Sequence, residues 1–300
     1  MNILNFPQKA TLIEVGPRDG FQFESTIIPT EMKAQIIEKL ADAGISHIQV
    51  ASFVNPQKVP QMADAEKLIK LLPQKAHVVY SGLVLNVRGI ERAAASGLSH
   101  VEISISASDT HSRKNTGMSL SQAVLQTEAV IRMAKDYHLK IRASVQCSFG
   151  CAFEGEIDPG RVIKIVDGYL NQDVDAICLS DTTGMATPPK LVHFLQKIIP
   201  QSNNVPVMLH LHDTRGIGLV NVMTALLNGV THFDTSFGGM GGCPFVPGAS
   251  GNIATEDTLY LMESLGIETG IDKKAVAECS RKLEHFLKKR FTGRIHRLSL

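Results

Sequence analysis

The 300-residue sequence contains no tryptophan, and its aromatic residues amount to 5%. That shortage removes the stacking platform on which single-stranded nucleic acids are usually held. There is no excess charge of either sign: Lys+Arg total 30 and Asp+Glu total 29, a formal net charge of +1. No field for a polyanion results, so nucleic acid is not an expected partner. No apolar run approaches the ~18 residues of a membrane-spanning helix, and no membrane partner is expected. The first fifteen residues lack a basic start followed by a long apolar stretch, so they do not read as a secretory signal. Cysteines number five (Cys147, Cys151, Cys178, Cys243, Cys279). An odd, sparse set suits free thiols in a reducing cytoplasm rather than a disulfide scaffold. What remains is a globular balance, 44% hydrophobic and 20% charged, in a chain long enough to bury a large core without staples.

No Gly/Ser/Pro-rich stretch divides the chain. Instead, short runs rich in Val, Ile and Leu alternate with longer amphipathic stretches. The short runs fall at 11–15, 47–51, 78–85, 100–106, 140–147, 176–181, 207–213 and 232–237. Helical patterns cover 31–44, 119–138, 158–172 and 218–229, among others. Pro29 and Thr30 precede the first helix, and Gly44 and Gly229 follow two of them as C-terminal caps do. Eight strand–helix units predict a parallel (β/α)8 TIM barrel. An open doubly wound sheet is the alternative, but the Gly-x-Gly-x-x-Gly turn that would support it after the first run is missing. The sequence therefore reads as one domain over 1–300. The barrel spans about 8–237, a glycine-rich loop 238–252, and two further helices 254–300, ending in the basic stretch 288–297.

In such barrels the chemistry sits at the C-terminal ends of the strands. GPRDG (16–20) follows the first run and can aim Arg18 and Asp19 inward; a surface turn with a local ion pair is the other reading. His210 and His212 share one face of the seventh strand, because residues i and i+2 do. Two such imidazoles plus a carboxylate form a common divalent-metal site, against the alternative of two satisfied core histidines. The loop 238–252 holds six glycines, contains Cys243 and ends at Asn252. A cysteine there is expected to be partly exposed and able to donate a proton or act as a nucleophile. Glu14 and Asp181, on the same rim, are candidates for supporting carboxylates that fix a histidine or Arg18. Cys147 and Cys151 read as incidental loop thiols, because their spacing does not fit a zinc knuckle.

GPRDG, SFVNPQKVPQMAD (52–64), HLHDTRG (210–216) and GGCPFVPGASGNIATED (241–257) together resemble the 3-hydroxy-3-methylglutaryl-CoA lyase family of metal-dependent TIM-barrel lyases. The resemblance runs from about 11 to 270, and the loop with its Cys-Pro is its most specific part. It implies retro-Claisen cleavage of hydroxymethylglutaryl-CoA to acetoacetate and acetyl-CoA, in leucine degradation or a related pathway. It implies a divalent cation, Mg²⁺ or Mn²⁺, on Asp19, His210, His212 and Asn252. Arg18 then resembles the cation that stabilises the enolate, and Cys243 the acid/base of a closing loop. Asp19 and His210 are counted with them in the catalytic set. Gln22, Gln49 and Arg215, with Arg18, are the expected substrate-binding residues. Lys288, Lys289, Arg290 and Arg294 are compatible with CoA phosphates. A homodimer is compatible with the resemblance.

Three positions depart from the family pattern. Gln49 stands where members usually carry Glu, Arg215 where they carry Tyr, and Ser25 where they carry Lys. If the missing Glu is a base, activity falls; if it only orients, activity survives. The changes raise a related 3-hydroxyacyl-CoA, such as citramalyl-CoA, as an alternative substrate. Two other readings stay open. One is a condensing synthase, whose usual regulatory domain finds no room in 300 residues; the other is a relative that keeps the metal and has lost turnover.

Overall fold

A computed structural model describes residues 5–299. Met1–Leu4 and Leu300, which the one-domain reading and the test for a secretory signal include, lie outside the described residues. Eight parallel strands close into a barrel in chain order. They are β1 (Thr11–Glu14), β2 (His47–Ser52), β3 (Val79–Val84), β4 (His100–Ser106), β5 (Lys140–Gln146), β6 (Ala176–Ser180), β7 (Val207–His210) and β8 (His232–Thr235), with β8 pairing back to β1. All eight apolar runs of the sequence became strands.

The helices are α1 (Thr30–Asp42), α2 (Ala65–Leu71), α3 (Val87–Ala95), α4 (Asp109–Thr116), α5 (Leu120–Asp136), α6 (Pro159–Leu170), α7 (Pro188–Gln201), α8 (Gly218–Leu227), α9 (Thr255–Ser264) and α10 (Lys273–Leu287). Their starts follow local chemistry. Ser119 and Gln122 close a reciprocal capping box on α5, and the Asp158 carboxylate accepts from the Gly160 amide at the start of α6. α1 ends where Gly44 takes φ 98° and α8 where Gly229 takes φ 87°, the left-handed conformation that glycine enters freely. The last two helices, α9 and α10, pack on each other, and α10 also packs on α1. Among the described residues no helix is long and apolar enough to cross a membrane.

The register sets what fills the barrel. Pairing runs from His47 to Val79, Ser81 to His100 and on to Lys140, Arg142 to Ala176, Cys178 to Met208 and His232, and Ile13 back to His47. Four steps of two residues around the ring give the stagger typical of this barrel. Alternate strands therefore contribute to each layer. His47, His100, Ala176 and His232 form the lowest level; Gln49, Glu102, Cys178 and Asp234 lie one level up. Bulky aliphatic residues usually fill such layers. Here the middle of the barrel is ionic: the Arg142 guanidinium is clamped between the carboxylates of Glu102 and Asp234, with Arg142 Nη1 2.6 Å from Asp234 Oδ1.

Candidate active site

The C-terminal mouth opens into a cavity of about 860 Å³ bordered by Arg18, Asp19, Gln22, His210, His212 and Cys243, among others. Arg18 and Asp19 reach it from a single π-helical turn, Gly16–Gly20. The amides of Arg18 and Asp19 both bond the Val15 carbonyl (3.0 and 2.6 Å), so two adjacent side chains leave the strand end together. The glycines on either side are required by close packing. A Cβ on Gly16 would lie 2.7 Å from Glu14 Oε1, and one on Gly20 2.7 Å from the Met240 Cβ. Arg18 pairs with Asp19 through Nη1 and donates through Nε to Gln49 Oε1. Gln22 Nε2 donates to Asp19 Oδ1 at 3.2 Å.

His210 and His212 turn their Nε2 atoms toward each other at 3.1 Å, and His210 Nδ1 meets Asp234 Oδ2 at 3.0 Å. Asn252 is carried back to this point because the end of the glycine loop pairs with the three residues that follow β7. Asp213 donates its amide to Gly251, Ile253 donates to Leu211, and His212 bridges Asn252. Asn252 Nδ2 donates to Asp19 Oδ2 (2.7 Å) and to the Met240 carbonyl (2.9 Å), while its Oδ1 is buried without a partner. Ligand atoms of Asp19, His210 and His212 lie within 4.8 Å of one another, a group able to hold a metal ion. The orphaned Asn252 Oδ1 points the same way, since a buried acceptor without a donor is costly unless a ligand completes it.

Electrostatics separate the groups. Burial alone would raise Asp19, but the Arg18 guanidinium and His210 overcome it and hold the carboxyl below its usual range. Burial alone would lower His210; the Asp234 carboxylate outweighs it and raises the imidazole. His212, buried and beside His210, falls to about 3, so it is a neutral imidazole suited to ligation. Burial raises the Cys243 thiol.

Several sequence expectations land differently. Cys243 is not partly exposed: at 8% it is buried, because Phe245 packs on His111 and Phe153 and folds the loop down over the mouth. Glu14 does not meet a histidine or Arg18. It accepts from the Gly16 and Phe237 amides and from Thr255 Oγ1, joining three loops, and burial lifts it to about 8. Asp181 likewise serves the backbone, accepting from the Met185 and Ala186 amides, and burial lifts it to about 7. Arg215 does not border the cavity, since its Nη1 is held by the Thr183 and Gly184 carbonyls at 2.8 and 2.6 Å. Gln49 is fully buried beneath Arg18, while Ser25 borders the cavity and is exposed. Of the basic stretch, Lys289 pairs with Glu24 at the rim (2.8 Å), and the Arg294 amide is held by Asp257. Cys147 and Cys151 are buried and free.

The sequence reading missed Asp234, Arg142 and Glu102. Each is a charge set inside an otherwise apolar strand run, at the parity of an inward-facing residue, and that was the available signal.

Comparison with known proteins gives a consistent picture. The HMGL-like family model matches residues 9–283. A hydroxymethylglutaryl-CoA lyase of Bacillus subtilis (strain 168) is 37% identical, over 96% of this chain and 97% of that protein. A cytoplasmic 3-hydroxy-3-methylglutaryl-CoA lyase of Danio rerio is 39% identical, over 91% of this chain and 81% of that protein. The solved structure of an HMG-CoA lyase from Acinetobacter baumannii, in complex with coenzyme A and 3-methylmalate, superposes with a TM-score of 0.94 at 35% identity, covering 99% of this chain and 97% of that one. With the family model matching residues 9–283 and relatives at 37–39% identity over more than nine-tenths of the chain, the protein belongs to the HMGL-like family.

Proposed function

We propose that this protein is a metal-dependent acyl-CoA lyase that cleaves hydroxymethylglutaryl-CoA to acetoacetate and acetyl-CoA. One observation carries the reading: a guanidinium, a buried thiol and the Asp19–His210–His212 donor group border one cavity at the barrel mouth. Relatives at 35–39% identity bear the matching name, and a structural neighbour is solved in complex with coenzyme A and 3-methylmalate.

The reaction breaks the C2–C3 bond. The electron pair moves to C2 and the thioester oxygen, the C3 hydroxyl loses its proton and becomes a ketone, and C2 takes up a proton. Asp19, His210, His212 and the free Asn252 Oδ1 are the atoms to hold a divalent cation, Mg²⁺ or Mn²⁺. Held there, a divalent cation would supply Lewis acidity that makes the hydroxyl easier to deprotonate. Arg18 supplies the positive charge that faces the thioester as negative charge develops there, and it is already aimed, so little reorganisation is needed. No protein acceptor meets Arg18 Nη2 among the described residues, which leaves it for the substrate. Cys243 delivers the proton to C2. Its burial keeps it a thiol at neutral pH, the form a proton donor needs. Such chemistry fits leucine breakdown in the cytoplasm.

The test is a product assay. Purified protein is stripped with EDTA, reloaded with Mg²⁺ or Mn²⁺, and offered hydroxymethylglutaryl-CoA and citramalyl-CoA. Acetyl-CoA release from the first, lost on stripping and restored by either ion, is the expected result. A clear preference for citramalyl-CoA reassigns the acyl group, and release from neither overturns the lyase reading.

A further inference from the structure

We propose that Gln49 and Glu102 form a directional hydrogen-bond relay that aims the Arg18 guanidinium into the cavity, which makes Glu102 a positioning residue for the reaction. The inference rests on the lyase reading above. The relay runs across strands. Arg18 Nε donates to Gln49 Oε1, and Gln49 Nε2 donates to Glu102 Oε2 at 2.5 Å. The same Glu102 oxygen takes Arg142 Nε at 3.1 Å, and Arg142 goes on to Asp234 and so to His210. The two ends of the proposed site, guanidinium and imidazole, are therefore joined at the floor of the cavity, which Glu102 borders, by one continuous chain of hydrogen-bonded polar groups.

The chemistry of position 49 follows from its neighbours. A guanidinium can only donate and an ionised carboxylate can only accept. The residue between them must offer an acceptor to one and a donor to the other, which an amide does in a single orientation. Gln49 is fully buried, so water cannot make up for a wrong group. A carboxylate at 49 would face the Glu102 carboxylate at hydrogen-bond distance, and one of the two would have to hold a proton or swing away. Either response moves the acceptor of Arg18 Nε. The amide at 49 and the carboxylate at 102 are thus a matched pair, with the negative charge placed on β4 rather than on β2. Moving both groups should preserve the relay: Glu at 49 would accept from Arg18, and Gln at 102 would donate to it while accepting from Arg142.

The experiment compares Gln49→Glu, Glu102→Gln and the double exchange. Readouts are kcat and KM for acetyl-CoA release, Mn²⁺ affinity by calorimetry, and melting temperature. Gln49→Glu alone is expected to lower kcat about tenfold or more, as a misaimed catalytic group does, with KM and Mn²⁺ affinity changed less than about threefold. Adding Glu102→Gln to it should raise kcat at least about fivefold and restore much of the lost melting temperature. The proposal is overturned if Gln49→Glu matches or exceeds the parent in kcat, or if the second change gives no rise. If the parent itself releases no acetyl-CoA, the lyase reading fails and the melting temperatures decide alone: recovery in the double exchange supports the relay, and additive losses overturn it.

Discussion

Asp234 shows how much a single side chain in this barrel depends on its charge. Its carboxylate holds His210 Nδ1 at 3.0 Å with one oxygen and Arg142 Nη1 at 2.6 Å with the other. Burial would raise it, yet the Arg142 guanidinium and His210 hold it below the ordinary carboxylate range. Asp234→Asn keeps the shape and removes the charge. One acceptor oxygen is left where two stood, so either His210 Nδ1 or Arg142 Nη1 meets an NH2 donor instead, and the negative charge that both face is gone. Loss of a partner that orients a ligating histidine typically weakens metal binding 10–100-fold, and breaking a buried ion pair costs about 3–5 kcal/mol. Calorimetric titration with Mn²⁺ and thermal melts should show both losses. An unchanged Mn²⁺ affinity would mean that Asp234 does not orient His210.

At the scale of elements, hydropathy patterning was sufficient for the barrel: each of the eight apolar runs is a strand, because a strand between two layers of core must be apolar. Legibility failed where a side chain serves the backbone instead of the cavity. Glu14, Asp181 and Arg215 sit where catalytic-rim residues sit, but backbone groups capture them: Glu14 and Arg215 are held by Phe237 and Gly184, far away in sequence, and Asp181 by the turn that follows it, at Met185 and Ala186. The glycine loop is a middle case, since its composition marked it while its closure over Cys243 depends on Phe245 finding His111 and Phe153. Its own geometry can be tested. Gly251 takes φ 84°, and an added Cβ would lie 2.5 Å from the Gly241 carbonyl carbon, where the two ends of the loop cross. Gly248 has a similar φ of 77° but open space around it. Both Ala variants carry the left-handed strain of about 1–3 kcal/mol, but only Gly251→Ala must also push the strands of the loop apart and displace Asn252. Mn²⁺ affinity is expected to fall about tenfold or more in Gly251→Ala, the usual cost of disturbing a ligand's support, and to stay near the parent's in Gly248→Ala. Equal affinities in the two variants would remove Asn252 from the ligand set.

For the molecule as a whole, the lowest barrel layer imposes a pH dependence that has nothing to do with catalysis. His47, His100 and His232 each follow a hydroxyl residue, and each ring Nδ1 rests on that hydroxyl: Ser46 at 3.1 Å, Ser99 at 2.8 Å and Thr231 at 3.1 Å. Burial lowers all three; His100, His232 and Arg142 depress His47 further, while Asp175 partly offsets the fall at His100. The folded barrel thus holds them neutral, whereas in the unfolded chain they protonate near pH 6.5. Below that pH the unfolded state binds more protons, so stability that is fully present above about pH 6.5 is lost as the pH falls toward the depressed folded values. Glu14 and Asp181, raised by burial, act with the opposite sign over their own ranges, so the trio must be isolated by difference. Melting temperatures of the parent and of a His47→Gln/His100→Gln/His232→Gln variant, each measured at pH 7.5 and 5.5, provide it. The parent should lose several degrees more than the variant on acidification, because the glutamines cannot take up charge inside the barrel. Parallel losses would show that the three imidazoles reach enough water to protonate at no cost to the fold.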